Sequence, residues 1–163
     1  MENILRKLTE SNFSDLAGLI INASIPLSEG LINEVIADAL LGNKNISSLR
    51  ISIFSQNRIS ADLKTVVWPW PINLKLQVES PRDFADSPKI KTRLENHGLL
   101  GKLGAALNAL PNGIQMNDDQ LIIDIAAFLT TPQQRQLLDL IQSLEITTES
   151  GKIILDVKIR VRE

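Results

Sequence analysis

The side chains able to do chemistry are few, and their neighbours limit what each can do. His97 is the single histidine and the one group whose ordinary pKa lies near neutrality, as general acid–base work requires. It stands directly before Gly98 at the expected start of a helix, which suits a solvated or capping residue better than a base. Asp118-Asp119 falls between two strand-like runs, where aspartate bonds the nearby backbone of a tight turn. Adjacent acids also lack the spaced oxygen ligands of a calcium loop. Asp124 alternates with Ile123 and Ile125, so a place on the open face of a strand is expected. Gly98, Gly101 and Gly104 recur within an aliphatic run and follow no strand, which a phosphate-cradling loop would need. They suit close backbone packing. No phosphate-loop, dinucleotide, nucleophile-elbow or zinc-helix pattern occurs, so the chain is expected not to be an enzyme.

Two further features could touch a partner. Trp68-Pro69-Trp70-Pro71 holds both tryptophans in a proline-stiffened connection between strands. Trp68 and Trp70 could seat at a membrane interface, or against a protein partner, or could cap the open end of the core. Lys89, Lys91, Arg93 and Lys102 form a mild basic cluster diluted by Asp83, Asp86 and Glu95. Its default is a solvated face; beside the tryptophans it would make a docking edge for anionic lipid.

Composition narrows the classes. The chain has 163 residues, with 17 Lys+Arg against 19 Asp+Glu and a net charge of -2. That balance does not provide a nucleic-acid footprint. Zero cysteines exclude disulfides, thiolate nucleophiles and cysteine metal sites, and one histidine leaves no histidine-rich centre. No cofactor is expected. A membrane-spanning helix needs about 20 apolar residues, and the run from Leu16 to Leu27 is broken by Asn22, Ser24 and Pro26. Met1 to Lys7 shows no secretory leader, so a cytoplasmic location is expected, or the cell envelope had a leader been removed. The hydrophobic content is aliphatic: 25 Leu, 21 Ile and 6 Val stand against 4% aromatics.

These residues fall on recognisable elements. A single domain is expected over 1–163, with 1–13 as an N-terminal extension and 80–88 as a flexible loop. Leu16 to Ile25 reads as a strand whose pairing Pro26 ends. Ser28 then caps a helix with Leu31, Ile32, Val35, Ile36, Ala39 and Leu40 on one face, stopped at Gly42-Asn43. Three alternating strands follow around Leu49–Phe54, Ile59–Lys64 and Ile72–Glu79, the first two joined by the turn Ser55-Gln56-Asn57-Arg58. Lys89 to Leu94 is ambiguous. A second aliphatic helix carries Leu99, Leu103 and Leu107. Strands at Ile114–Met116 and Gln120–Leu129 follow, and a third helix begins at Thr131-Pro132 and buries Leu137, Leu138, Ile141 and Leu144. A hairpin turning at Ser150-Gly151 ends the chain. The order predicts an α+β fold: a long curved antiparallel sheet wrapped around two or three aliphatic helices.

The run Ile25-Pro26-Leu27-Ser28-Glu29-Gly30-Leu31-Ile32-Asn33, with its helix and hairpin, is one half of a resemblance. The other half is Leu110-Pro111-Asn112-Gly113-Ile114 ahead of Gln120-Leu121-Ile122-Ile123-Asp124. Together, over Ala23 to Val161, the chain resembles small bacterial members of the tubular lipid-binding (TULIP-like) group. The resemblance implies a curved sheet around a long helix, enclosing a groove for acyl chains. Many such relatives are exported or lipid-anchored, whereas this chain shows no leader. A lipid or fatty-acyl ligand is therefore expected, lined by Leu31, Ile32, Val35, Ile36, Leu99, Leu103, Leu107, Ile123 and Ile125. The alternative is a structural or protein-interaction module with a solid aliphatic core, and the oligomeric state is left open.

Overall fold

A computed structural model describes residues 18–66, 70–96, 112–129 and 131–160. The expected helix carrying Leu99, Leu103 and Leu107, the 1–13 extension and Trp68 lie outside the described residues. The fold is α+β with antiparallel sheets. In chain order the elements are β1 (Ile20–Ser28), α1 (Glu29–Ala39), β2 (Ile46–Phe54), β3 (Arg58–Thr65), β4 (Ile72–Glu79), β5 (Lys89–Leu94), β6 (Ile114–Asn117), β7 (Gln120–Asp124), α2 (Ile125–Phe128), α3 (Pro132–Asp139), β8 (Ile141–Glu149) and β9 (Lys152–Arg160).

The strands form two sheets, one ordered β2-β3-β4-β5-β7-β6 and the other β1-β9-β8. Period-2 alternation sets what each face presents. In the larger sheet Ile53, Ile59, Leu76 and Leu94 stand in register across four strands, and all four are buried. On the opposite face Arg58, Gln77, Arg93 and Gln120 make the corresponding polar row. The smaller sheet pairs Leu144 with Val157 and Ile146 with Leu155 on its inner face. One buried cluster joins the sheets, running from Ile46, Leu63 and Leu94 to Phe84, Leu144, Ile146 and Val157. Burying each such aliphatic side chain contributes about 1.5–3 kcal/mol.

What separates the sheets is how their edges are closed. Backbone N–H and C=O groups at a strand edge need partners. Along the edge of β8, the Asn57 amide donates to the Ile146 carbonyl at 3.0 Å and accepts from the Thr148 N–H at 2.9 Å. Ser80 Oγ accepts from the Ile146 N–H at 2.9 Å and donates to its carbonyl at 3.0 Å. The Thr148 hydroxyl donates to the Phe54 carbonyl, and the Gly151 N–H to that of Ile53 at 3.0 Å. Along the edge of β2, the Asn33 amide of α1 accepts from the Ile51 N–H at 2.7 Å and donates to its carbonyl at 2.8 Å. The Glu29 carboxylate accepts from the Ile53 N–H at 2.8 Å. Side chains therefore occupy the positions where a neighbouring strand would bond, and the single long sheet expected from the sequence becomes two.

Other expectations change as well. Pro26 lies within β1, opposite Ile154, and the strand runs on to Ser28. An edge strand tolerates proline because one side of it needs no donor. The strand expected over Gln120–Leu129 stops at Asp124, whose carboxylate caps α2 by accepting from the Ala126 N–H at 3.0 Å. Ile125 thus leaves the strand. Lys89–Leu94 is a strand in the middle of the larger sheet. Within 80–88, which has no strand or α-helix, Phe84 is buried and the Asp83 carbonyl accepts from the Ser87 N–H at 2.9 Å. Leu137 of α3 is exposed rather than buried, and Ile141 and Leu144 belong to β8. The Ser28 cap, the stop at Gly42 (φ 79°) and the helix start at Thr131-Pro132 agree with the sequence reading, and the structure adds a capping box between Thr131 and Gln134.

Asn57 offers a test, because it holds a left-handed φ of 58° as well as both bonds to β8. Asn57→Gly keeps the conformation and loses the bonds, at about 1–3 kcal/mol. Asn57→Ala adds about 1–2 kcal/mol for the left-handed backbone. Urea denaturation should rank wild type, Gly and Ala in that order; equal stability of wild type and Gly would show that the seam does not depend on this amide.

Candidate functional site

The rotation of α1 decides where its aliphatic residues go. At about 100° per residue, Glu29 and Asn33 lie within ~40° of each other on the side facing β2. Ile32 and Ile36 then fall roughly 60° to one side, and Leu31 and Val35 roughly 160° away. Exposure follows these angles. Leu31 is 47% and Val35 60% exposed. Ile32 and Ile36 are half-buried but do not pack on the buried cluster. Leu40, the C-cap residue, does. Two polar side chains have thus set the helix, and its apolar stripe is turned away from the core.

The preceding strand also leaves aliphatic side chains open. Ala23 and Ile25 share the inner face with Val157 and Leu155, since they are paired in register. Yet Ile21 and Ile25 are exposed, whereas Leu144 and Ile146 on β8 are buried. Covering therefore fails progressively from β8 to β1. Ile123 of β7 is half-buried beside Ile90 and Ile114, and Ile125 packs on the core from α2. The structure thus gathers Leu31, Ile32, Val35 and Ile36 on one helix and puts Ile123 and Ile125 on other elements.

Trp70 is 69% exposed and sits at one end of the larger sheet, just before β4. Val66 shares that end, its N–H bonded to the Asn45 carbonyl at 2.9 Å, and so does Leu41 after α1. All three are open to solvent. The basic residues lie at the other end. Lys89 and Lys91 border a polar cleft of about 340 Å³ with Arg82, Glu79 and Asp83. Arg93 instead binds Glu79 at 3.0 Å. The length of β4, roughly 23 Å at the usual rise per residue, separates this cleft from Trp70, so the two do not form one docking edge. His97, Lys102 and the glycine run lie outside the described residues. Two further clefts of about 350 and 290 Å³ open on the polar faces of the smaller and larger sheets. Among the described residues no cluster of acidic or histidine side chains could hold a metal ion, and no helix is long and apolar enough to cross a membrane.

Sequence reasoning missed the edge-closing set of Glu29, Asn33, Asn57 and Ser80. A visible signal was the polar i, i+4 pair Glu29/Asn33 flanking an apolar stripe. Comparison with known proteins identifies no relative: no family model, curated protein or solved structure matches the chain.

This arrangement separates residues that stabilise from residues left available. Leu94→Ala should cost about 2–5 kcal/mol, as truncation in a close-packed core does. Leu31→Ala and Val35→Ala should each change stability by less than about 0.5 kcal/mol, as surface substitutions do. Thermal or urea unfolding of the three variants checks the contrast; a large loss at Val35 would mean that its side is covered.

Proposed function

We propose that the chain is a non-enzymatic binding module for lipid acyl chains or a similar hydrophobic ligand, held against the aliphatic flank of α1 and β1. The observation that carries this reading is the rotation of α1. Glu29 and Asn33 are spent on the edge of β2, so Leu31 and Val35 stay in water although the core closes without them. Exposed aliphatic side chains grouped on one helix face mark a contact site. An aliphatic surface with few polar groups suits an acyl chain better than a sugar or nucleotide. Leu31, Ile32, Val35 and Ile36 supply the contact on α1, with Ile21 and Ile25 beside them in the chain. Leu99, Leu103 and Leu107 complete the proposed lining, Ile123 and Ile125 standing apart from it on the larger sheet and α2, and Trp68 and Trp70 make the proposed contact with a membrane surface. A TULIP-like wrapping of sheet around helix is the finer form of the same proposal.

The second reading, a structural or protein-interaction module, is favoured by the continuous buried cluster that joins the two sheets. The two differ in what the open flank does. Titration of a fluorescent fatty acid into the purified chain, with native mass spectrometry for co-purifying lipid, measures it. Wild type should bind, and Leu31→Asp with Val35→Asp should weaken binding by about tenfold or more while leaving the melting temperature nearly unchanged, since one tenfold step is about 1.4 kcal/mol. No bound lipid and no fatty-acid affinity in the wild type would overturn the acyl-chain reading in favour of the interaction module.

A further inference from the structure

The four outer edges of the two sheets are treated unequally. The edge of β2 is closed by Asn33, Glu29 and Gly151 acting on Ile51 and Ile53. That of β8 is closed by Asn57 and Ser80. The edge strand β6 is only four residues long. Short strands and capped edges are the usual protections against unwanted pairing. β1 has neither protection. It is nine residues long, and among the described residues no hydrogen bond reaches its outer edge. It carries no charged residue from Ile20 to Ser28, and Ile20, Ile21 and Ile25 are exposed on its two faces.

From this we infer that β1 is a pairing edge for a second copy of the same chain, joined antiparallel about a two-fold axis. Self-pairing brings each residue type against its own strand, so any charge would meet a like charge; a strand without charges avoids that cost. Centring the pair on Ala23 sets Ile21 opposite Ile25 of the second copy, twice by symmetry, on the inner face. Asn22 then stands opposite Ser24, and Ile20 opposite Pro26. These apolar pairs cover the side chains that one copy leaves open. Pro26 lies near each end of the match, where its missing N–H removes one bond, two of the ladder by symmetry. The product is a continuous sheet β8-β9-β1 extended by its own mate.

This inference concerns a strand edge and does not rest on the ligand proposed for the flank. Sedimentation equilibrium of the full chain, from micromolar to submillimolar concentration, should show a mass rising toward the dimer. Asn22→Lys with Ser24→Lys sets lysines opposite each other on the outer face and should weaken association by about tenfold or more. Asn22→Glu with Ser24→Glu should do the same. Mixing the two variants should restore association, which a merely unstable variant would not do. Amide exchange on the wild type gives a reading free of mutation: protection of β1 should rise with protein concentration. A monomer throughout that range would overturn the inference, and so would a wild type that instead recruits an extended peptide without self-associating. Undiminished dimerisation of the lysine variant would overturn it as well.

Discussion

A β-sheet ends in a row of backbone donors and acceptors, and what satisfies that row shapes the rest of this structure. Three amide or hydroxyl side chains act as small pieces of backbone. Asn33 and Asn57 each present one donor and one acceptor at the spacing of a peptide group, and Ser80 does the same through a single oxygen. A neighbouring strand would have made the same bonds but would have extended the ladder. With side chains in its place the sheets stop at β2 and β8, and their inner faces turn toward one another. The buried cluster of Ile59, Leu63, Leu94, Leu144 and Ile146 is the consequence.

The same constraint explains a helix that looks misdirected when judged by hydrophobicity alone. An amphipathic helix ordinarily rolls its apolar stripe onto the core. Rolling α1 by roughly 60° or more would bring Ile32 and Val35 inward, but it would pull Asn33 from Ile51 and Glu29 from Ile53. Both strand residues are more than half shielded, and leaving a shielded N–H or C=O without a partner costs about 1–3 kcal/mol per group. Three such groups outweigh the gain from covering the exposed part of Val35 and the remainder of half-buried Ile32, each only a fraction of about 1.5–3 kcal/mol. Polar bonding therefore decides the rotation, and aliphatic exposure follows from it.

This competition also marks what could be read in the residues. Period-2 alternation placed β2, β3, β4, β8 and β9 and their inner faces, because one-sided burial writes itself into every second side chain. Ser28 and Thr131-Pro132 announced two helix starts for similarly local reasons. The junctions were less legible. Asp124 looked like one more outward residue of a strand until its carboxylate capped the next helical turn. Leu137 looked like core from spacing alone, since spacing cannot say which side of a short helix meets a sheet. The edge-closing pairs join residues as far apart as Asn57 and Thr148, and no local pattern carries that distance. The candidate site inherits this limit: the stripe Leu31–Ile36 was visible, while its exposure depended on a polar pair read as ordinary helix surface.

Stability and availability have thus been assigned to different residues. If the core needed α1, its aliphatic face would be explained by packing and nothing further would follow. The cluster closes with Leu40 as the contribution from the end of α1, while Leu31 and Val35 ahead of it stay exposed. Uncovered aliphatic side chains carry a standing penalty in solubility and in the risk of pairing. A surface that keeps Leu31 and Val35 in water on the helix, and Ile21 and Ile25 in water on the strand before it, meets that penalty at two consecutive elements. On the proposals made above, the face and the edge are each completed by contact, the face by a hydrophobic ligand and the edge by another strand.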